Sequence, residues 1–424
     1  MGYESTSEEA LKIEKENLLK KYDNYKQMGL SLNMARGKPS PEQLDLSMPM
    51  LDSIHSAVAC CAEDGIDCRN YGELDGILEC KKLFSNIMGV DSDSVFIGGN
   101  SSLNMMFDTI SAFMTNSIYD DTEPWLNVPD RKFLCPVPGY DRHFGITGFY
   151  GFEMIPVPMN SDGPDMDIIE KLVSEDSSVK GIWCVPKYSN PTGITYSDDV
   201  VKRFANLNPA AKDFRIMWDN AYAVHDVTET SDSLLNIMDE CKKTGNEDMP
   251  IIFSSTSKIT FSGAGVAAMA ASKLNMDFLK KRYTFATIGY DKLNMLRHAK
   301  FFGDYNGLLE HMKKHKAILA PKFKTVIDKL NNSFVDNDIA SWTNPNGGYF
   351  VSVDVYPGTA KKAVELCKDA GVVLTDAGAT YPNSYDPEDK NIRIAPSFPS
   401  VDELSLAMDI FCVCVKLAAI EKFI

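Results

Sequence analysis

The sequence predicts an α/β protein with a large domain, built on a mostly parallel central sheet, and a smaller α+β domain. From residue 79 onward, short apolar segments that end in turn residues alternate with helical segments. This alternation is typical of a parallel sheet covered by helices. After about residue 305 the pattern changes to one long lysine-rich helical stretch followed by short strands and two helices. A chain of 424 residues is long enough for two or three such domains.

The first elements follow from the positions of apolar residues. Residues 7–29 predict an amphipathic helix, because their apolar side chains recur near one face. That face is formed by Leu11, Leu18, Tyr22 and Tyr25. A proline-rich irregular segment comes next, and a second helical stretch is expected from about residue 50 to 64.

The central strands are predicted where apolar runs end in polar or turn-forming residues. These segments are 94–100, 132–140, 153–159, 181–193, 214–222 and 251–258. The segment after residue 100 predicts a helix from apolar residues at helical spacing. They are Leu103, Met106, Phe107, Ile110, Phe113 and Met114.

The carboxyl-terminal third predicts a compact unit of helices and short strands. Its segments are a helix over 306–331, the strand "GYFVSVDVY", a helix over 359–370, the strands "GVVLTDAG" and "NIRIAPSF", and a helix from about residue 401. We therefore expect residues 1–48 to form an amino-terminal arm that is part of the small domain. Residues 49–305 would form the large domain and 306–424 the small carboxyl-terminal domain.

Charge and composition narrow the functional classes. The formal net charge of −16 disfavours non-specific binding to nucleic acid and to anionic membranes. No apolar run approaches the roughly 20 residues of a membrane span, and the amino terminus has no apolar signal region, so a cytoplasmic protein is expected. The ten cysteines match neither zinc spacing nor a disulfide framework. We expect a small-molecule ligand and no metal.

Polar residues follow several of the predicted strands. In open α/β sheets, ligands bind beyond the carboxyl ends of the strands. The residues at these ends are Asn190, Asp219, Tyr222 and Lys258. Singly, each has an ordinary explanation: a turn asparagine, a helix-capping aspartate, a core tyrosine and a solvated lysine. Lys258, however, stands among small and apolar residues in "FSSTSKITFSGAG", which disfavour a charged ammonium and would lower its pKa.

Taken together, these motifs resemble a known enzyme family. Asn-Pro-x-Gly, Asp-x-x-Tyr, Ser-x-x-Lys and a late arginine occur in that order in the class I/II aminotransferases, which are fold-type-I enzymes dependent on pyridoxal phosphate (PLP). The segments "ARGKPSPEQLDLS", "NYGELDGI", "VPKYSNPTGITYSD", "TSKITFSGAGVA" and "NIRIAPSFP" are similar in particular to the bacterial aspartate aminotransferase subgroup Ic. The resemblance implies the PLP-dependent transferase fold and a homodimer with shared active sites.

The resemblance also implies catalytic roles. Lys258 would form the Schiff base with PLP and then act as the base at the substrate Cα. Asp219 would pair with the pyridine nitrogen of the cofactor. Asn190 and Tyr222 would donate hydrogen bonds to the phenolate oxygen of the cofactor.

Further positions carry over from the same resemblance. The phosphate would be held by Asn100, Ser101, Ser102, Ser255 and Ser257, with Tyr71 contributed by the neighbouring subunit. Tyr140 would stack on the pyridine ring, and His143 would support Asp219. Arg393, with Gly37 and Asn190, would bind the substrate, because arginine offers a planar two-point fork for the α-carboxylate. The chain departs from many relatives at Val266, where they carry a phosphate-binding cation.

The resemblance points to L-aspartate with 2-oxoglutarate as the substrates, giving oxaloacetate and L-glutamate. A dicarboxylic substrate needs a second cation, and the candidates are Arg36, Lys38, Lys187 and Arg297. Alanine or aromatic amino acids remain alternative donors, and a PLP-dependent lyase remains an alternative reaction.

Two other classes fit less well. The segment "GAGVAA" from Gly263 matches a loose dinucleotide-binding pattern, but no acidic residue ends a following strand as an oxidoreductase of that type requires. A transcriptional regulator built on an aminotransferase domain would need an additional DNA-binding module, and about 30 residues precede the first aminotransferase motif.

Overall fold

The computed structural model describes residues 2–424. Its α-helices are α1 (Glu8–Gln27), α2 (Pro41–Asp45), α3 (Leu78–Met88), α4 (Ser102–Thr115), α5 (Asp141–Phe149), α6 (Met166–Glu175), α7 (Asp198–Ala205), α8 (Ile237–Thr244), α9 (Lys273–Ala286), α10 (Lys292–Phe302), α11 (Tyr305–Phe334), α12 (Ala360–Asp369) and α13 (Val401–Ile420).

The strands within residues 2–424 are short, and nine of the thirteen overlap the predicted segments. They are β1 (Leu32–Asn33), β2 (Val95–Ile97), β3 (Lys132–Val137), β4 (Glu153–Asn160), β5 (Gly163–Pro164), β6 (Val179–Cys184), β7 (Arg215–Asp219), β8 (Pro250–Ser255), β9 (Ala267–Ala271), β10 (Ala340–Trp342), β11 (Val351–Val355), β12 (Val372–Val373) and β13 (Asn391–Ile394).

The central sheet has eight strands in the order β2-β9-β8-β7-β6-β3-β4-β5. Strands β4, β3, β6, β7 and β8 are parallel to their neighbours in that row. Strand β9 runs antiparallel to both β8 and β2, and β5 runs antiparallel to β4. The expected α/β fold with a mostly parallel sheet is therefore confirmed, and the parallel strands present their carboxyl ends at one edge.

Helices cover both faces of this sheet, which explains why its strands are apolar throughout rather than alternating. Successive residues along β6, β7 and β8 enter two different cores. One core includes Ile182, Ile216 and Ile252, and the other includes Trp183, Met217 and Phe253.

The carboxyl-terminal region forms a second layer of structure. Strands β10, β11 and β13 make an antiparallel three-stranded sheet. Helix α13 packs against α1, α11 and α12, and β1 pairs in parallel with β12, so the amino-terminal residues join the carboxyl-terminal core. A division of the chain at residues 48 and 305 remains our proposal.

Two local predictions fail. Instead of one helix over 50–64, the chain forms two short 3-10 turns, Met48–Asp52 and Val58–Cys60. The side chain of Val58 is 85% exposed, so this segment has no continuous apolar face that packing could stabilise as a helix. Strand β9 was not predicted because alanine is a poor strand former. It forms because it lies between β2 and β8, where all five of its residues are buried.

No helix within residues 2–424 is both long enough and apolar enough to cross a membrane.

Candidate active site

A cavity of about 520 Å³ lies beyond the carboxyl ends of the central strands and extends to β13. It is lined by most of the residues that the sequence singled out: Gly37, Ser101, Ser102, Tyr140, Asn190, Asp219, Tyr222, Ser255, Ser257, Lys258 and Arg393. A cleft of about 630 Å³ between α4 and α9 is larger, but it brings together helix-surface residues rather than strand ends. We therefore take the smaller cavity as the candidate active site.

Strand order explains why residues distant in sequence meet in this cavity. Strands β6, β7 and β8 are parallel neighbours. Asp219 is the last residue of β7, while Asn190 and Lys258 follow the ends of β6 and β8. Because the three strands run in one direction, their following segments emerge at the same edge of the sheet.

Asp219 is a buried carboxylate with one oxygen already paired. Its Oδ2 lies 3.0 Å from Nε2 of His143, whose ring stacks on Trp183 with a centroid distance of 4.4 Å. The other oxygen, Oδ1, is buried and has no hydrogen-bond partner among residues 2–424. A buried acceptor without a donor is costly, so its presence at a cavity wall fits a ligand that brings an N–H group. A protonated pyridine nitrogen is such a group.

Lys258 lies in aromatic surroundings. Its Nζ is 5.2 Å from the ring centroid of Tyr222 and 6.0 Å from that of Tyr349. Burial lowers the pKa of the Lys258 ammonium, and the negative charge of Asp219 opposes that shift only in part. A lowered pKa increases the fraction of neutral amine, which is the nucleophilic and basic form.

The phenol of Tyr222 remains a hydrogen-bond donor. Burial is the main cause that raises its pKa well above the usual value, and Tyr140 and Asp219 add to the shift. Burial likewise raises the pKa of Tyr140 to about 12. Both phenols therefore keep their protons at neutral pH and can donate to a ligand oxygen.

Arg393 reaches the cavity from β13 and is only 7% exposed. Its Nη1 donates to Oδ1 of Asp141 at 3.0 Å and to Oδ1 of Asn190 at 3.3 Å. Nη2 donates to Oγ1 of Thr375 at 3.2 Å. Because the Asn190 oxygen accepts from Arg393, the Asn190 amide nitrogen is the group left to donate to a ligand.

The ring of Phe350 fixes the other side of this arginine. The guanidinium carbon lies 4.8 Å from the Phe350 ring centroid. Gly37 approaches the same ring so closely that a Cβ at position 37 would lie 2.5 Å from a ring carbon. Only glycine therefore fits between the "ARGKP" loop and Phe350.

A model of the aspartate amino-transferase family matches residues 6–424, almost the entire chain. The chain belongs to the aspartate aminotransferase family. It is 47% identical to the aspartate aminotransferase of Corynebacterium glutamicum over 408 residues, which are 96% of this chain and 94% of that protein. The predicted resemblance to fold-type-I PLP aminotransferases is thereby confirmed.

Solved structures agree with this family. A crystal structure of an aspartate transaminase from Corynebacterium glutamicum has a TM-score of 0.97 and 45% identity, and each chain is covered over 100% of its length. A double mutant of the aspartate aminotransferase from Thermus thermophilus has a TM-score of 0.66 at 15% identity, covering 94% of this chain and 95% of that one. The second likeness shows the fold alone.

The residues predicted to hold a phosphate lie at the start of α4 and at or just after the end of β8. Ser101 caps α4, with its Oγ accepting from the Leu103 N–H at 3.2 Å. The hydroxyls of Ser255 and Ser257 lie 3.0 Å apart. Asn100 does not line the cavity, and its Nδ2 donates instead to the carbonyl oxygen of Gly263 at 3.2 Å.

Position 266, where the sequence comparison predicted a departure from many aminotransferases, holds a buried apolar side chain. Val266 is 2% exposed, and its backbone N–H donates to the Thr256 hydroxyl at 2.9 Å. Besides Lys258 and Arg393, the cations that line the cavity are Arg36, Lys38 and Arg142. Arg36 and Lys38 were among the four candidates for a distal carboxylate.

The other two candidates lie elsewhere. Lys187 lines a separate cavity of about 330 Å³, where its Nζ donates to the carbonyl oxygen of Ala223 at 3.0 Å. Arg297 donates to Oδ1 of Asn294 at 2.9 Å and does not line the candidate site.

Sequence reasoning missed four polar residues of the cavity, namely Asp141, Arg142, Thr375 and Asp376. Asp141 and Arg142 stand in the quoted motif "PGYDRH", so their position beside Tyr140 was a usable signal. Thr375 had no such signal, because its contact with Arg393 depends on how β12 and β13 are placed.

Tyr71 is 82% exposed and does not line this cavity. Its predicted role at the phosphate of a neighbouring subunit remains a prediction.

Proposed function

We propose that this protein is a PLP-dependent aspartate aminotransferase, which transfers the amino group of L-aspartate to 2-oxoglutarate and gives oxaloacetate and L-glutamate. The observation that carries the proposal is the convergence of Lys258, Asp219 and Arg393 on one cavity. An amine of lowered pKa, an unpaired buried carboxylate oxygen and a guanidinium are the groups that this reaction requires. The choice of aspartate is supported by the 47% identical aspartate aminotransferase.

The donor set fits the cofactor. When bound, PLP supplies an electron-withdrawing ring that weakens the bonds at the substrate Cα. Asp219 would hold the ring nitrogen protonated through its free Oδ1, and His143 would keep the Asp219 carboxylate in place. Tyr222 and Asn190 would donate to the phenolate oxygen. The serine hydroxyls at 101, 102, 255 and 257, together with the amino terminus of α4, would hold the phosphate.

Lys258 would serve first as the covalent attachment point and then as a base. After the substrate amine displaces it, its neutral Nζ would remove the proton from the substrate Cα. Burial favours this neutral form because it lowers the pKa of the ammonium.

The substrate would be oriented by its two carboxylates. Arg393 would bind the α-carboxylate with two N–H groups, and Gly37 would allow the "ARGKP" backbone to approach the same group. Of the three remaining cavity cations, Arg36, Lys38 and Arg142, one or more would neutralise the distal carboxylate.

We further propose a cytoplasmic homodimer with shared sites. All ten cysteines are free thiols, which suits a reducing compartment. Tyr71 lies exposed at the surface, where it is available to a second copy of the chain.

The test is an absorbance spectrum of the PLP-loaded protein before and after addition of L-aspartate and, separately, L-alanine, with Lys258→Ala as control. We expect the visible band of the bound cofactor to disappear with L-aspartate and to return with 2-oxoglutarate, while a coupled assay detects oxaloacetate. A response to L-alanine alone would assign a different donor. Release of ammonia while the band persists without 2-oxoglutarate would indicate a lyase. A band that is unchanged in Lys258→Ala would refute the role of Lys258.

A further inference from the structure

The guanidinium of Arg393 already contacts a carboxylate of its own chain. Oδ1 of Asp141 lies 3.0 Å from Nη1 of Arg393, and both residues line the candidate active site. Asp141 is the first residue of α5, and its side chain is 35% exposed whereas that of Arg393 is 7% exposed. The partly exposed partner is the one with room to move.

Counting the N–H groups of Arg393 shows how little capacity remains for a ligand. A guanidinium has five N–H donors, two on each terminal nitrogen and one on Nε. Both hydrogens of Nη1 are used, by Asp141 and by Asn190. One hydrogen of Nη2 is used by Thr375, and Nε is buried without an acceptor. One Nη2 hydrogen is therefore left for the cavity.

A two-point grip on an incoming carboxylate needs one hydrogen from each terminal nitrogen, because the side that carries Nε is closed by burial. The second hydrogen must come from Nη1. Asn190 is 3% exposed and held in the "NPTG" turn, so it cannot readily give up its contact. Displacement of Asp141 is the remaining way to free Nη1.

We propose that Asp141 is an internal occupant of the carboxylate site on Arg393, and that a substrate binds by displacing it. The inference rests on the proposed role of Arg393 in binding the α-carboxylate. Asp141 weakens the binding of amino-acid and oxo-acid substrates alike, since both bring that carboxylate. An amine without a carboxylate would leave the Asp141–Arg393 pair intact, so Asp141 would not lower its affinity.

The same cavity can receive the displaced side chain. Arg36 and Arg142 line it, and either cation can compensate the Asp141 carboxylate after it leaves Arg393. The displaced carboxylate would therefore stay in a cavity that holds other cations rather than enter an uncharged environment.

The decisive measurement is the binding of maleate, a dicarboxylate without an amino group, to the PLP-loaded enzyme by calorimetry. The variant Asp141→Asn removes the competing charge. We expect its Kd for maleate to be about threefold to tenfold lower than that of the wild type, because maleate no longer has to displace a charge-assisted contact. The KM for L-aspartate should fall by the same factor, with kcat changed less than about twofold, since the contact is lost before chemistry.

Matched variants separate this effect from others. Asp376→Asn removes the same charge from a residue that lines the same cavity. Within residues 2–424 the hydrogen-bond partners of Arg393 are Asp141, Asn190 and Thr375, so this variant should leave the maleate Kd unchanged. Asp141→Glu keeps a competing carboxylate and should bind maleate like the wild type. Asp141→Ser, which suits the start of a helix, provides a second removal variant if Asp141→Asn folds poorly.

The remaining outcomes contradict either the role of Arg393 in binding a carboxylate or the competition by Asp141. If Arg393→Gln binds maleate as tightly as the wild type, the proposed role of Arg393 fails. If Arg393→Gln loses maleate binding while the Asp141 removal variants bind it equally or more weakly than the wild type, Asp141 positions Arg393 and does not compete for it. If Asp376→Asn tightens maleate binding as much as Asp141→Asn does, the effect belongs to cavity charge in general.

Discussion

At the scale of single residues, the candidate site is defined by the hydrogen bonds that its side chains make and by the buried polar atoms that have no partner among residues 2–424. Asp219 has His143 on one oxygen and no partner on the other. Arg393 has acceptors on both terminal nitrogens. Lys258 lies among aromatic rings and has a lowered pKa because of its burial. These partners, rather than residue types alone, assign each side chain a role.

The bond between His143 and Asp219 can be tested by His143→Phe. Removing the imidazole leaves the Asp219 carboxylate buried without any donor, so we expect a loss of about 1–3 kcal/mol in unfolding free energy. We also expect kcat to fall at least tenfold, because the carboxylate is no longer fixed. Urea unfolding and steady-state kinetics measure the two effects. The exposed His55 provides the control, and a His55→Gln variant should match the wild type.

Gly37 can be tested by Gly37→Ala. The added Cβ would collide with the Phe350 ring that lies under Arg393, so we expect the KM for L-aspartate to rise about tenfold. The affinity for PLP should not change, because Phe350 lies on the substrate side. Gly145→Ala is the matched control, since a Cβ there meets no atom within 4 Å. An unchanged KM in Gly37→Ala would mean that Phe350 does not set the position of Arg393.

At the scale of elements, the ends of parallel strands and the starts of helices build the site. Asp219 ends β7, Ser255 ends β8, and Ser101 caps α4 directly after the β2 segment. A serine at such a position has two possible uses, as a cap for the helix and as a donor to a phosphate. The structure shows the capping bond from the Leu103 N–H.

Ser101→Ala separates these two uses. Loss of the cap alone should lower stability by about 1 kcal/mol equally with and without PLP. If Ser101 also donates to the phosphate, the loss should be larger in the PLP-loaded protein, and the PLP Kd should rise. Thermal unfolding of both forms measures the difference. Ser197→Ala, which removes the cap of α7, is the control and should destabilise both forms equally.

At the scale of the whole molecule, histidine burial couples folding to pH. Five of the six histidines are buried. Burial lowers the pKa of His298 and of His315 to about 4, and lowers those of His225 and His311 as well. These side chains lie in or beside α10, α11 and the strand ends, so their protonation affects the packing of several elements at once.

We therefore expect acid sensitivity of the fold. Between about pH 6.5 and pH 4 the unfolded chain binds protons that the folded chain does not, so stability falls as the pH falls. Each such histidine contributes up to about 1.4 kcal/mol per pH unit in that range. Urea unfolding between pH 8 and pH 4.5 measures the slope. The slope should become shallower in His298→Gln, and a slope identical to the wild type would contradict a neutral His298.

Assembly can be tested at the same scale. We expect Lys258→Ala and Tyr71→Ala each to be nearly inactive alone and to regain activity when mixed and allowed to exchange subunits. A mixed dimer would contain one site with both native residues. Sedimentation should show dimers for all species. No recovery in mixed dimers would contradict the sharing of Tyr71 between sites.

The sequence by itself determined the α/β class, most helices and strands, and the motif residues at strand ends. These depend on local apolar patterns and on residue types that the chemistry demands, and both can be read along the chain. The sequence-based predictions failed in two local segments. Residues 50–64 have no continuous apolar face that could be buried as a helix, and the alanine-rich β9 forms because it lies between two other strands.

Only the tertiary structure decided how these residues act together. In the folded protein, Oδ1 of Asp219 has no partner within residues 2–424, and Lys187 and Arg297 lie outside the candidate site. Asp141 forms an ion pair with Arg393. Asp141 and Arg393 are 252 residues apart in sequence. No local pattern encodes such a contact, because it depends on how α5 and β13 are packed across the cavity.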